Sequence, residues 1–277
     1  MEILEKSNLL SDVLIDLNGS ENPEASPNFE ANEEGVLAII LLYKNPEFKG
    51  VIKPYNLELC GKKMYEWVQD SVANLEVKTV TCDENSNIVS LIKPLLNNNK
   101  TSIVLYSDTP LVAKSTIDEI LDYFSTSTLN VLKLKRGWVF NTEYIKNAES
   151  VNSVLIREFG GKDFDVVHNA SSLCETSAIL QERILNYHLE NGVFIDDKKS
   201  TVIDATAIIE PGVKLGANNI IKGETYLGRN VVLEHNNVLI NSIISSGCNI
   251  KSSYIKNSKI TNNMVVGPFE TIEEKEN

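Results

Sequence analysis

Ile103-Val-Leu-Tyr-Ser-Asp-Thr-Pro-Leu-Val is the segment of this chain best suited to chemistry, because an apolar run ends on a carboxylate, Asp108, just ahead of Pro110. Open α/β sheets place ligand groups at the carboxyl ends of their strands. An Asp there can hold Mg²⁺ bridged to phosphates, since that ion takes oxygen ligands. Asp two residues before Pro is also a common turn, and spacing alone leaves both readings open. Three histidines, His168, His188 and His235, lie far from one another. The four cysteines, Cys60, Cys82, Cys174 and Cys248, form no CxxC pair and no Cys/His cluster at metal spacing, so they read as buried thiols in a reducing cytosol.

Two kinds of element must position these groups. From Val36 onward, apolar β-rich runs (Val36 to Leu42, Val77 to Thr81, Ser102 to Tyr106, Leu129 to Leu134) alternate with helical segments (Met64 to Asn74, Ile88 to Leu96, Ser115 to Phe124). Strands alternating with helices predict βαβ units and a mostly parallel sheet. A long amphipathic stretch, Ala170 to Asn191, predicts a helix that ends this α/β domain, 35–200, and links it to a second domain. Residues 1–34 mix a short apolar stretch with Asn, Pro, Ser and Glu and read as a poorly ordered arm.

The second kind of element is a repeat. Ile203, Ile209, Leu215, Ile221, Leu227, Leu233 and Leu239 fall six residues apart, a register that chance would produce about once in 10⁴ to 10⁵ trials. Beyond Leu239 the spacing loosens to five or six through Ile244, Ile250, Ile255, Ile260 and Val266. Gly212, Gly216, Gly223, Gly228 and Gly247 sit among Asn and Pro at expected corners. Three hexads close one triangular coil, so 201–270 is expected to form a left-handed parallel β-helix of three to four coils. Each coil buries its inward Ile or Leu only against the coils above and below. The acidic tail, 271–277, is expected to discourage end-to-end strand pairing.

Composition narrows the partners. A hydrophobic share of 42% and a charged share of 23% are those of an ordinary globular protein. A net charge of -12 and a pI near 4.8 argue against nucleic acid, whose binding needs clustered Lys and Arg. The longest apolar run, Val36 to Tyr43, is too short to span a bilayer, and Met1 is followed by acidic rather than basic residues. The expectation is a cytoplasmic protein with no membrane partner.

Tyr106-Ser-Asp-Thr-Pro-Leu followed by Ser115-Thr-Ile-Asp-Glu-Ile-Leu resembles the acidic strand-end motif of sugar-phosphate nucleotidyltransferases. Further matches lie in Leu59-Cys-Gly-Lys-Lys-Met-Tyr-Glu-Trp-Val, Val167-His-Asn-Ala-Ser-Ser-Leu through Gln181-Glu-Arg-Ile, Asn191-Gly-Val-Phe-Ile-Asp-Asp and Val266-Gly-Pro-Phe-Glu. Together these segments resemble the bacterial bifunctional N-acetylglucosamine-1-phosphate uridylyltransferase family, from about Val36 to Phe269 and most strongly from Val167 onward. The resemblance implies an α/β fold class, with a Rossmann-like nucleotidyltransferase domain followed by a short left-handed parallel β-helix of hexapeptide repeats. It implies Mg²⁺ as cofactor, held at Asp108 and Asn169, both oxygen ligands as that ion requires. Asn169 is also suited to cap the helix that begins at Ala170. A homo-oligomer, namely a trimer, and a nucleotide or sugar phosphate as small-molecule partner complete what the resemblance implies.

The departures from that family concern its catalytic machinery. The family opens its first strand into a Gly-rich loop with a catalytic Arg. Here Tyr43-Lys-Asn-Pro-Glu-Phe-Lys-Gly takes that place, and bulky side chains with Pro46 keep the backbone from wrapping phosphate as glycines do. Lys44, Lys49 and Lys53 are the phosphate-binding candidates, as point charges, against the plainer reading of solvated surface lysines. The Gln and Gly-Thr-Gly-His segment that reads the uracil ring has no counterpart in Thr81-Cys-Asp-Glu-Asn-Ser-Asn-Ile-Val-Ser. Between Asp108 and Asn169 the chain is shorter than in the family, with Lys135-Arg-Gly-Trp-Val-Phe where an Asn-Thr-Gly is expected. Nucleotidyl transfer relies on positioning and charge stabilisation, so losing cradle, cation and base pocket together removes most of the rate. No catalytic residue is assigned.

Three functions compete. The first is a divergent sugar-phosphate nucleotidyltransferase-like protein that binds a nucleotide or sugar phosphate with Mg²⁺, its catalysis reduced or lost. The second is a non-catalytic scaffold or regulatory homologue that assembles through its β-helix. The third, a hexapeptide acyltransferase with His235 as base, is the weakest: the family's acetyl-transfer coils would begin where this sequence ends, and His235 also reads as a corner side chain.

Overall fold

The structure, a computed structural model, describes residues 35–151 and 157–274; the expected arm, 1–34, and the end of the expected tail, 275–277, lie outside the described residues. The described chain divides into two compact units, one of residues 35–59 and 63–176 and the other of residues 60–62 and 177–274.

The first unit contains β1 (Val36–Tyr43), β2 (Glu58–Leu59), β4 (Glu76–Cys82), β5 (Thr101–Tyr106), β6 (Val131–Leu134) and β7 (Gly137–Asn141), and β3 (Lys62–Lys63) falls across the division between the units. Five of these form one sheet in the order β4-β1-β5-β7-β6. β1 runs parallel to β4 and β5, while β7 is antiparallel to both β5 and β6. The expected parallel sheet is thus extended by a hairpin whose second strand was not anticipated.

β1 reads as a continuous apolar run because both of its faces are covered. Ala38 and Ile40, with Ile103 and Leu105 of β5, pack against residues of α1 (Met64–Asp70) and α3 (Lys114–Thr126) such as Val68, Ile117, Ile120 and Phe124. Leu37, Ile39 and Leu41, with Val104 and Phe140, pack against Ile92 of α2 (Ile88–Ile92) and Ile145 of α4 (Thr142–Asn147). The helix expected over Ile88 to Leu96 gives way to a 3₁₀ turn at Lys93–Leu95, where Pro94 brings no N–H to continue the ladder. A fifth helix, α5 (Ala170–Glu190), contains the division between the units.

The second unit stacks three parallel sheets of very short strands into a left-handed β-helix. One sheet holds Val202–Ile203, Ile220–Lys222, Val238–Ile240, Tyr254–Lys256 and Thr271–Glu273. Another holds Phe194–Ile195, Lys214–Leu215, Val232–Leu233, Asn249–Ile250 and Val265–Val266, and the third Ile208–Ile209, Tyr226–Leu227, Ile243–Ile244 and Lys259–Ile260. Every expected inward residue from Ile203 to Val266 is buried. With five, five and four strands per sheet the stack holds between four and five coils, more than expected. Phe194–Ile195 adds a strand before the repeat, and Thr271–Glu273, expected within the acidic tail, pairs as the last strand of its sheet.

Corners are made by residues that tolerate a left-handed backbone. Asn218, Asn236 and Ser252 recur at one corner and Gly223, Asn241 and Asn257 at another, all at positive φ. Inside the coils Asn219 Nδ2 donates to Gly216 O and Glu234 O at 2.8 Å, and its Oδ1 accepts from the N–H and Nδ2 of Asn237 at 3.0 Å. Asn237 Oδ1 in turn accepts from Ser253 N–H at 2.9 Å. All four cysteines are free. Cys82 and Cys248 are buried as expected, whereas Cys60 is half-buried and Cys174 faces outward from α5.

Candidate functional site at the carboxyl end of β5

After Tyr106 the chain turns through Ser107, Asp108 and Thr109, all buried. Ser107 N–H donates to Leu41 O at 2.9 Å, Ser107 Oγ accepts from Tyr43 N–H at 3.0 Å, and Thr109 Oγ1 donates to Tyr106 O at 2.9 Å. The turn is therefore fastened to the end of β1. Because β4 lies on one side of β1 and β5 on the other, these two strand ends form the topological switch point where open α/β sheets take ligands.

The carboxylate at that point is already engaged. β6 and β7 are joined by a two-residue turn, Lys135-Arg136, whose second side chain reaches back to Asp108. Arg136 Nε donates to Asp108 Oδ1 at 3.1 Å and Nη2 to Oδ2 at 2.6 Å, a bidentate fork onto a residue only 1% exposed. The Tyr106 ring lies 3.8 Å from the guanidinium carbon and the Tyr43 ring 4.8 Å, so two aromatic faces flank the cation. Gly137 permits the approach: at φ +135° it faces the backbone of β5, and a Cβ there would meet Val104 O.

Burial pushes the Asp108 carboxyl above its usual range, with the Arg136 guanidinium pulling against it. Burial also opposes the charge on Arg136, but Asp108, Tyr106 and Tyr43 outweigh it and hold the guanidinium above its usual range. The bidentate geometry is that of an ion pair, and it decides between these opposed pulls. Burial raises the neighbouring Cys82 thiol and Tyr106 phenol to about 12, so neither supplies a charge or a nucleophile.

Val167 N–H donates to Asp108 O at 2.8 Å, bringing the segment that leads into α5 alongside the turn. His168 comes next, close enough for its charge to act on Asp108. Asn169 Oδ1 accepts from Ser172 N–H at 3.0 Å, while Ser172 Oγ accepts from the N–H groups of His168 and Asn169 at 3.0 and 3.1 Å. That is the arrangement of a helix N-cap. The loop before it is pinned by Asp163, whose carboxylate accepts from Ala113 N–H and Thr116 Oγ1 at the start of α3. Lys44, Lys49 and Lys53 are exposed, and the charge of Lys44 acts on Asp83. On the β-helix, His235 is an exposed corner residue whose Nδ1 accepts from Ala217 N–H at 3.0 Å.

These positions test the fit of Mg²⁺. An ion at Asp108 would have to displace Arg136, and one at Asn169 would have to take the oxygen that caps α5. As arranged, the donor set does not fit the ion. Among the described residues no group of three or more His, Cys, Asp or Glu side chains is placed to hold a metal. Arg136 is the residue that reading the sequence missed. Its signal was the apolar alternation of Val131 to Leu134 and Gly137 to Phe140 around the Lys-Arg pair. Two surface cavities of about 630 and 670 Å³ share Asn141 and Glu143 in their linings, and the second also meets Thr101 at the amino end of β5.

The sheet, its switch point and the stacked coils define the class: a Rossmann-like α/β domain followed by a left-handed β-helix. No family model matches the chain. Bifunctional protein GlmU of Thermoanaerobacter pseudethanolicus is 24% identical over 301 residues, 76% of this chain and 66% of that protein. The GlmU of Clostridium novyi (strain NT) is 37% identical over 148 residues, 53% of this chain and 29% of that protein. This chain is a divergent relative of those proteins, and it spans about two thirds of the first and under a third of the second. A solved CMP:2-keto-3-deoxy-manno-octonic acid synthetase complexed with CTP aligns with 53% of this chain and 99% of its own at a TM-score of 0.42 and 11% identity. No helix among the described residues is long and apolar enough to cross a membrane.

Proposed function

We infer that this chain is a nucleotidyltransferase-like protein that does not catalyse the transfer. It acts as a scaffold or regulatory relative of nucleotide-sugar enzymes and assembles through its β-helix, as a homotrimer in the cytoplasm. The observation that carries this reading is the fork of Arg136 on Asp108. Metal-assisted phosphoryl chemistry needs an oxygen donor open to the ion, and here both carboxylate oxygens are spent on a guanidinium. Tyr43, at the end of β1, adds a bulky ring beside the pair. The decisive assay is pyrophosphate release from UTP, N-acetylglucosamine 1-phosphate and MgCl₂. The expected result is no release above that of Asp108→Ala; Mg²⁺-dependent turnover abolished by Asp108→Ala overturns the reading. Sedimentation at micromolar concentration is expected to give a trimer, and a monomer contradicts the assembly.

A second reading keeps binding without turnover, with Mg²⁺ at Asp108 and Asn169 and phosphate against Lys44, Lys49 or Lys53. In its favour, the Val167 to Asp108 hydrogen bond keeps the two ligand segments side by side. It predicts a thermal shift with Mg²⁺ and UTP that Asp108→Ala removes. His235 commits its Nδ1 to the backbone of the neighbouring coil, so acyl transfer is left aside.

A further inference from the structure

We propose that Arg136 is a resident cation: its guanidinium holds the buried carboxylate of Asp108 in place of a divalent ion, and its removal opens a latent divalent-cation site there. The inference rests on the non-catalytic reading above and deepens it. It explains why a carboxylate 1% exposed is tolerated at the end of β5: a charge is buried at heavy cost unless it is paired and fully hydrogen-bonded.

The fork supplies both the pairing and the hydrogen bonds. It is also pre-positioned. Arg136 sits in a two-residue turn whose approach depends on Gly137, and its guanidinium is flanked by Tyr106 and Tyr43, so little freedom is lost in holding it there. Of the neighbouring side chains, His168 pulls on Asp108 less than Arg136 does, and burial keeps Cys82 and Tyr106 neutral. Without Arg136, Asp108 must either take up a proton or recruit a cation from solution. The two carboxylate oxygens that Arg136 now holds are then freed, and oxygen is the donor a hard divalent ion takes.

The test uses the full chain, with Mn²⁺ as an EPR-visible probe. Wild type is expected to bind no Mn²⁺ that Asp108→Asn removes. Arg136→Gln is expected to gain one Mn²⁺ site per chain and to melt lower than wild type by on the order of 10 °C in EDTA, with about 3 °C or more recovered in excess MnCl₂. The double variant Asp108→Asn/Arg136→Gln controls for Mn²⁺ held loosely by the acidic surface and is expected to show neither the site nor the recovery. If Arg136→Gln does not fold in EDTA, refolding it in MnCl₂ is expected to yield soluble protein, and equal insolubility with and without Mn²⁺ overturns the proposal. So does an Arg136→Gln protein that binds no more Mn²⁺ than the double variant. Wild type that binds Mn²⁺ at Asp108 overturns both this proposal and the non-catalytic reading. A metal-inert Arg136→Gln beside an inactive wild type overturns the proposal alone.

Discussion

The β-helix and the strand-end centre of the α/β domain both bury polar side chains, and they satisfy them by opposite means. Along the Asn ladder inside the β-helix the buried groups are neutral and repeat from coil to coil: Asn219 and Asn237 share their hydrogen bonds among Gly216, Glu234, Ile250 and Ser253. At the end of β5 the buried group is a carboxylate, satisfied by one guanidinium from 28 residues further along the chain. A neutral ladder spreads its hydrogen bonds over many partners, so removing one side chain leaves a few polar groups unpaired. A charged pair concentrates them, and removing one partner strands a whole charge. Repetition makes the one region tolerant, whereas long-range pairing makes the other depend on single residues.

The sharpest test of that contrast is Arg136→Gln, which is expected to cost about 3 to 5 kcal/mol in urea unfolding without metal. A loss below about 1 kcal/mol would make the pair an ordinary solvated contact and remove the contrast.

Next in size is a pH effect in the β-helix unit. His188 is 3% exposed, its Nδ1 finds no partner among the described residues, and burial lowers its pKa to about 4. Between that value and the unfolded value near 6.5 the unfolded chain takes up a proton that the folded chain refuses. Stability is therefore full above about pH 6.5 and falls by about 3 kcal/mol as pH drops to about 4. Comparing wild type with His188→Leu across that window isolates the effect, and parallel pH profiles would contradict it.

Asn237→Ala is expected to cost about 2 kcal/mol, because Asn219 Oδ1 and Ser253 N–H lose a partner while the other ladder bonds remain. A loss as large as that of Arg136→Gln would break the comparison. Smallest is Asn169→Ala, about 1 kcal/mol for a lost N-cap and the same with or without MgCl₂. A loss that appears only with MgCl₂ present would make Asn169 a metal ligand.

The two regions also differ in how far they could be read from the sequence. The β-helix is written locally: an inward Ile, Leu or Val every five or six residues, with Gly and Asn at the corners, states the coil directly; Phe194–Ile195 escapes because eight residues separate Ile195 from Ile203, and Thr271–Glu273 escapes, although Ile272 follows Val266 by six, because the acidic residues around it read as a tail. The place of Asp108 was also legible, since an apolar run ending on Asp is a local pattern. Its partner was not. Lys135-Arg136 is not one of the Asn-Gly or Asp-Gly pairs that announce a tight hairpin, and nothing periodic ties position 136 to position 108. For Asn169 the metal and cap readings rest on the same side-chain oxygen, and only the placement of Ser172 shows that oxygen engaged as a cap.

The most direct measurement is the side-chain ¹⁵N spectrum of Arg136 in wild-type protein, because its Nε–H points at Asp108 Oδ1. A closed pair predicts a resolved, slowly exchanging Nε–H resonance that stays in place when millimolar MgCl₂ and UTP are added. A resonance that exchanges freely, or that shifts and broadens on adding Mg²⁺, would show that the carboxylate is open to the ion and that the site is a metal centre after all.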